Sequence, residues 1–270
     1  MGQILAFSGK KQSGKNTLCN FLHGYQLKSY SMIDGFEVAS TGELIIETSI
    51  KEENGKISKG KGQIDITRID IEFVVWAMDN IWPFVKHYSF ATALKEMAIG
   101  LFNINKDLVY GSNEQKNGFT QYTWEQMPTK VKGKTGLMTG REFMQYFGSE
   151  ICRKIYPDIW TDRLIKDIKA EEPNLAIVSD ARFENEIKAI QEAGGKVIRL
   201  TRTVDGDHHE SETALDDYKG FDAIIDTQNL NIEQSCEKLI EIIDNWGWFD
   251  TKILVAPEKP LRKQTTMAIR

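Results

Sequence analysis

The chain has 270 residues, with 34 Lys and Arg against 39 Asp and Glu, a net charge of −5, and 41% apolar and 27% charged residues. This is ordinary globular composition, long enough for one or two domains, and it excludes collagen-like, mucin-like and disordered classes. The acidic balance argues against a broad nucleic-acid-binding surface, while leaving room for a local basic cleft. Cys19, Cys152 and Cys236 lie far apart with no C-x-x-C pair. Neither disulfides nor structural zinc are expected, and a reducing cytoplasm fits. The longest apolar run, Phe73 to Met78, is too short to span a bilayer.

Residues 3–8 form an unalternating apolar run, the pattern of a strand buried on both faces. Gly9-Lys-Lys-Gln-Ser13-Gly14-Lys15 follows, and then Leu18, Phe21, Leu22 and Tyr25 at helical spacing. The chain therefore opens strand, glycine-bounded loop, helix. Residues 31–70 form a β-rich insertion, with strands expected at Phe36–Ser40, Glu43–Ile50 and Gln63–Ile69. Thr41-Gly42 and a Gly/Lys-rich stretch from Asn54 to Gly62 separate them. A helix is expected over 71–82, a buried strand at Phe84–Phe90, and a helix bearing Leu94, Met97, Ala98 and Leu101.

Residues 103–138 are rich in loop residues. Thr139-Gly-Arg-Glu142 reads as a capping box opening a helix with Phe143, Phe147 and Ile151, which Pro157 ends. Another helix spans about 159–170. Three further strands, Leu175–Ser179, Lys196–Leu200 and Phe221–Ile225, alternate with helices bearing Phe183, Ile187 and Ile190, then Ile232, Cys236, Leu239 and Ile243. Five apolar strands joined by helices predict an α/β fold with a doubly wound parallel sheet and helices on both faces. Residues 202–219 read as a polar lid, and 252–270 as a basic C-terminal tail beyond a domain of residues 1–251.

Gly9-x-x-x-x-Gly14-Lys15 is a Walker A skeleton, between a strand and a helix as that motif requires. The glycines let backbone N–H groups turn toward phosphate oxygens, and the helix presents its positive end to the same anion. The motif predicts ATP bound by Gly9, Ser13, Gly14, Lys15, Asn16 and Thr17. The usual magnesium-binding Ser or Thr is replaced by Asn16, so Thr17 is the candidate for Mg²⁺, directly or through water. Asp180 ends a strand, where a Walker-B-like acid belongs, although it also suits a helix N-cap. Arg182 stands near the carboxyl ends of the strands, where ligands of such sheets bind. Arg141 and Gln145, four apart, share a helix face. Arg202 opens the lid and is preferred over Arg199. Phe147 and Trp160 are candidates to stack on a base, or are core. His208 and His209 match no metal-ligand spacing.

These motifs together resemble the deoxynucleoside monophosphate kinases of tailed bacteriophages. The likeness runs through the phosphate loop, Phe90-Ala-Thr-Ala-Leu94-Lys95, Tyr110-Gly111 with Lys116-Asn117, and Arg141-Glu-Phe-Met144-Gln145-Tyr-Phe-Gly148-Ser149. It continues through Asp180-Ala-Arg182 with Glu186, Arg202, and His209-Glu-Ser211-Glu212. It is weak across 31–85 and absent in the tail. The resemblance implies a P-loop fold and phosphoryl transfer from ATP, with Mg²⁺, to a deoxynucleoside 5′-monophosphate. It implies Lys15, Asp180, Arg182 and Arg202 as catalytic, and Arg141, Gln145, Phe147, Gly148, Trp160 and Glu186 as substrate-binding. The implied partners are small nucleotides rather than membranes or nucleic acid, and the implied place is the cytoplasm, that of the host cell if the chain is phage-encoded. A homodimer contact through the insertion stays open. So do two other readings, a different small-molecule P-loop kinase and a nucleotide-gated nucleic-acid-binding NTPase.

Overall fold

The computed structural model describes residues 2–51, 56–202 and 214–248. In chain order, β1 (Gln3–Gly9) leads to α1 (Lys15–Ser29), then to β2 (Gly35–Val38), β3 (Leu44–Lys51) and β4 (Ile57–Ile64). Next come α2 (Ile71–Asn80), β5 (Val85–Tyr88), α3 (Ala91–Gly100), and the single turns α4 (Asp107–Tyr110) and α5 (Asn113–Lys116). β6 (Phe119–Thr123) and β7 (Leu137–Thr139) form a hairpin. α6 (Gly140–Gln145) then widens into a π-helical stretch, Tyr146–Cys152, and ends in α7 (Arg153–Ile155). α8 (Ile159–Glu171), β8 (Leu175–Ala181), α9 (Glu184–Glu192), β9 (Lys196–Thr201), β10 (Ala223–Asp226) and α10 (Ile232–Asn245) follow.

The chain divides into two compact units, one built on residues 1–88 and 168–270, the other on Ser89–Asp167. The first holds a five-stranded sheet, ordered β10-β9-β1-β8-β5, in which every pairing is parallel. β1 is the central strand, and Ile4, Leu5, Ala6 and Phe7 are all essentially inaccessible to solvent. That explains why its sequence shows no alternation: both faces are covered. Leu5 and Phe7 join Leu18, Leu22, Ile177, Ile198, Leu200 and Leu239 in one core. The sheet is the doubly wound α/β arrangement the sequence predicts, with the carboxyl end of β1 delivering the phosphate loop.

The insertion is a three-stranded antiparallel sheet, β2-β3-β4. Its third strand differs from the expected Gln63–Ile69. β4 runs through the Gly/Lys-rich stretch and pairs with all of β3, from Leu44↔Ile64 to Lys51↔Ile57. An edge strand is fixed by its backbone ladder, so Gly60 and Gly62 are tolerated where side-chain pattern gives no strand signal. The strand stops where the Asp65 carboxylate accepts from the Thr67 N–H at 2.8 Å. The insertion packs on α1 at Gly24, where a Cβ would fall 2.3 Å from the Phe36 ring and 2.8 Å from a Leu44 methyl.

The second unit has its own core of Ala98, Ile104, Val109, Trp124, Met138, Phe143 and Tyr146. The predicted capping box is present. The Thr139 hydroxyl accepts from the Glu142 N–H at 3.2 Å, and the Glu142 carboxylate accepts from the Thr139 N–H at 3.0 Å. Phe143, Phe147 and Ile151 recur every four residues, a spacing that the π-helical widening after Gln145 accommodates. The region 103–138, expected as loops, contains α4, α5 and the β6–β7 hairpin. These elements are too short to show periodicity.

Candidate nucleotide site

The phosphate loop is shaped by its own close contacts. A Cβ on Gly9 would lie 2.5 Å from Ser13 Oγ and 2.8 Å from the Leu200 carbonyl, so only glycine lets the loop fold over β9. Gly14 is the N-cap of α1 with φ 96°, a left-handed conformation that favours glycine. No side chain caps α1, and its first turn holds no acidic residue. The helix therefore keeps its N-terminal N–H groups and positive end for an anion.

The Lys15 ammonium folds back over this loop, donating to the carbonyls of Gly9 at 2.5 Å and Lys10 at 2.7 Å. Burial pushes its pKa down to about 8, helped by the Arg182 and Arg199 guanidiniums and opposed by Asp180. Three expected residues, Lys15, Asp180 and Arg182, are thus within electrostatic reach of one another. Asp180 lies inside β8, and α9 begins at Glu184, so Asp180 is not the cap of that helix. Asn16 is exposed and Thr17 half-buried, with the Thr17 hydroxyl against the β2–β3 turn: a Cβ on Gly42 would reach within 2.8 Å of it. The oxygens of Asn16, Thr17 and Asp180 are hard donors, the chemistry that a magnesium–polyphosphate takes.

The two arginines of β9 and its end are held differently. Arg199, ranked behind Arg202 in the sequence, donates to Ser8 Oγ at 3.0 Å and pairs with Asp216 at 3.3 Å, and its charge reaches Lys15. Arg202 donates through Nε and Nη2 to the Thr227 carbonyl at 3.2 and 2.8 Å. The rest of the expected lid, with His208, His209 and Glu212, lies mostly outside the described residues, as does the tail.

Four of the expected substrate residues are held by neighbours within the protein. Glu186 is 1% exposed, and its carboxylate accepts from the N–H groups of Arg182 at 2.7 Å and Phe183 at 3.2 Å, capping α9. Trp160 is buried, and its indole N–H points to the Gly148 carbonyl at 3.4 Å. Gly148 itself is required by close packing, since a Cβ would fall 2.7 Å from a Leu94 methyl. Phe147 stacks in an aromatic cluster, with its ring 4.8 Å from Phe102 and 5.8 Å from Phe143. In the same unit the Arg141 guanidinium is held by the side-chain oxygens of Asn117 at 3.2 Å and Asn113 at 3.1 Å. Gln145, one turn on, is half-buried.

Sequence reasoning missed Thr227, whose hydroxyl donates to the Ser13 carbonyl at 3.0 Å. It sits just past a short strand, and nothing in its local sequence signals a role. His87 Nε2 lies 2.7 Å from Ser179 Oγ, one residue before Asp180.

A central parallel strand, a glycine loop over its carboxyl end, a lysine folded onto the loop and an uncapped helix behind it define a P-loop nucleotide-binding fold. A family model for deoxynucleotide monophosphate kinases matches residues 3–239, and the chain belongs to that family. It is therefore a phosphotransferase of nucleotide metabolism. It is also 29% identical over 171 residues to a protein of Acanthamoeba polyphaga mimivirus that carries the name of a deoxynucleotide monophosphate kinase. The match covers 58% of this chain and 82% of the relative. Among the described residues, no helix is long and apolar enough to cross a membrane.

Proposed function

We propose that the protein transfers the γ-phosphoryl group of ATP to the 5′-phosphate of a deoxynucleoside monophosphate, giving the diphosphate and ADP. The observation that carries this reading is Lys15, half-buried against the phosphate loop, with its charge destabilised by desolvation and by Arg182 and Arg199. Such a cluster of cations is built for an anion of high charge. Backbone N–H groups from Ser13 to Thr17 hold the donor phosphates, with Gly9 and Gly14 setting the loop's path. An oxygen of the acceptor phosphate bonds to the γ-phosphorus as the bond to the β-phosphate bridging oxygen breaks, and that oxygen leaves on ADP. Lys15, Arg182 and Arg202 neutralise the migrating charge, so catalysis is positioning and electrostatics without a covalent intermediate. Mg²⁺, when bound, supplies further charge neutralisation at the β- and γ-phosphates. Thr17 and Asp180 would hold it, directly or through its water. Arg141 takes the acceptor phosphate and Gln145 the base edge.

The test is a coupled ADP-release assay over nucleoside and deoxynucleoside monophosphates, with Lys15→Ala as control. Turnover on at least one deoxynucleotide, lost in Lys15→Ala, is expected. Inactivity across the panel with ATP binding intact would point to a different small-molecule acceptor.

A further inference from the structure

We infer that Asn113 and Asn117 are positioning residues that aim Arg141 and preserve its charge for the acceptor phosphate. The inference rests on the reading of Arg141 above. α5 is a single turn locked by a capping box: the Ser112 hydroxyl accepts from the Gln115 N–H at 3.2 Å, and Gln115 Oε1 accepts from the Ser112 N–H at 2.8 Å. That turn places Asn113 and Asn117 four residues apart, on one face. Asn117 Oδ1 accepts from Arg141 Nε at 3.2 Å, and Asn113 Oδ1 accepts from Nη2 at 3.1 Å. The start of α6 is pinned to the segment just after that turn and to α4. The Gly140 N–H donates to the Gly118 carbonyl at 3.0 Å, and a Cβ on Gly140 would fall 2.4 Å from the Leu108 carbonyl.

The chemistry of the two acceptors matters more than their number. Nε and one N–H of Nη2 form one edge of the guanidinium, and both asparagines engage that edge. The opposite edge, Nη1 with the second N–H of Nη2, is the fork that grips a phosphate bidentately. Among the described residues nothing engages Nη1. A carboxylate at 113 or 117 would hold the arginine just as well, but it would neutralise the cation and repel a dianion. Asparagine orients without discharging. Arg141 is the first turn of α6 and Gln145 its last residue, so aiming the first also fixes the helix face that carries the second.

The experiment compares Asn113→Asp, Asn117→Asp, Asn117→Ala and Arg141→Ala in the full-length protein. It reads kcat, the KM of each substrate, and calorimetric affinity for the deoxynucleoside monophosphate without ATP. Each Asp variant is expected to weaken acceptor binding about tenfold, since its carboxylate discharges Arg141 and repels the phosphate. The KM for ATP should stay within about twofold. Asn117→Ala loses orientation but not charge, and should weaken the acceptor by only about threefold. If Arg141→Ala weakens the acceptor while the Asp variants match the parent, the inference falls and the role of Arg141 stands. If Arg141→Ala leaves acceptor affinity unchanged, both fall. Both asparagines are exposed, and unchanged thermal unfolding would show that the variants are folded.

Discussion

The Thr227 hydroxyl donates to the Ser13 carbonyl at 3.0 Å, and the Thr227 carbonyl in turn accepts the Arg202 guanidinium. One buried residue at the end of β10 thus joins the phosphate loop to the arginine that opens the lid. Thr227→Val keeps the shape and removes the bond to Ser13, leaving that carbonyl without its hydroxyl donor. The expected cost is about 1–2 kcal/mol of stability, by chemical denaturation, with a several-fold rise in the KM for ATP. An unchanged KM would show that the loop holds its path without this tie.

Lys15 opposes folding in order to serve its site. Its pKa falls from 10.5 to about 8 on folding, so the native state binds the proton more weakly than the unfolded chain. At pH 7 both states are charged and the penalty is fully present, of the order of 3 kcal/mol. Between pH 8 and 10.5 the unfolded chain keeps the proton that the native one has lost, so this penalty is relieved as pH rises. Lys15→Met should therefore stabilise the ligand-free protein at pH 7 while abolishing turnover. The difference in unfolding free energy between parent and variant should shrink toward pH 10. A variant less stable than its parent at pH 7 would contradict the burial argument.

The β2–β3 turn touches the first turn of α1. Asn20 Nδ2 donates to the Gly42 carbonyl at 2.8 Å, and Gly42 has φ 98° beside the Thr17 hydroxyl. Gly42→Ala should cost about 1–2 kcal/mol from the left-handed backbone alone. It should also displace Thr17, raising the magnesium–ATP concentration needed for half-maximal rate. Asn20→Ala removes the latch without crowding Thr17, and should lower stability with a smaller effect on ATP.

Glu186, an expected substrate contact, caps α9. Glu186→Ala should lower stability by about 2 kcal/mol, since two N–H groups lose a charged acceptor. The activity of the folded fraction should stay within about threefold of the parent. A hundredfold loss in a fully folded variant would restore a direct role.

How far the sequence led depends on what each element needed to reveal itself. β1 and its loop were legible because a strand covered on both faces has a distinctive run, and because Gly9 is crowded by its neighbours and Gly14 takes a left-handed conformation that favours glycine. The Thr139–Glu142 capping box was legible for the same reason: both partners lie within four residues. β4 was not, because it is held by a backbone ladder to β3 and its side chains carry no apolar alternation. Thr227 and the asparagines of α5 act across 214 and 24–28 residues of chain, and no local pattern announces such partners. Trp160 shows the converse, an aromatic whose identity suits a base or a core equally until its neighbours are known.

The place of β1 in the sheet also orders events in time. Its partners begin about 170 (β8) and 190 (β9) residues later in the chain. At ribosomal speeds of roughly 5–20 residues per second, that interval lasts about 10–30 s. The first strand leaves the ribosome exposed and unmatched, whereas Ser89–Asp167 is contiguous and can settle as soon as it emerges. The glycine loop is thus among the earliest segments to be synthesised, while the two strands that flank β1 are made late.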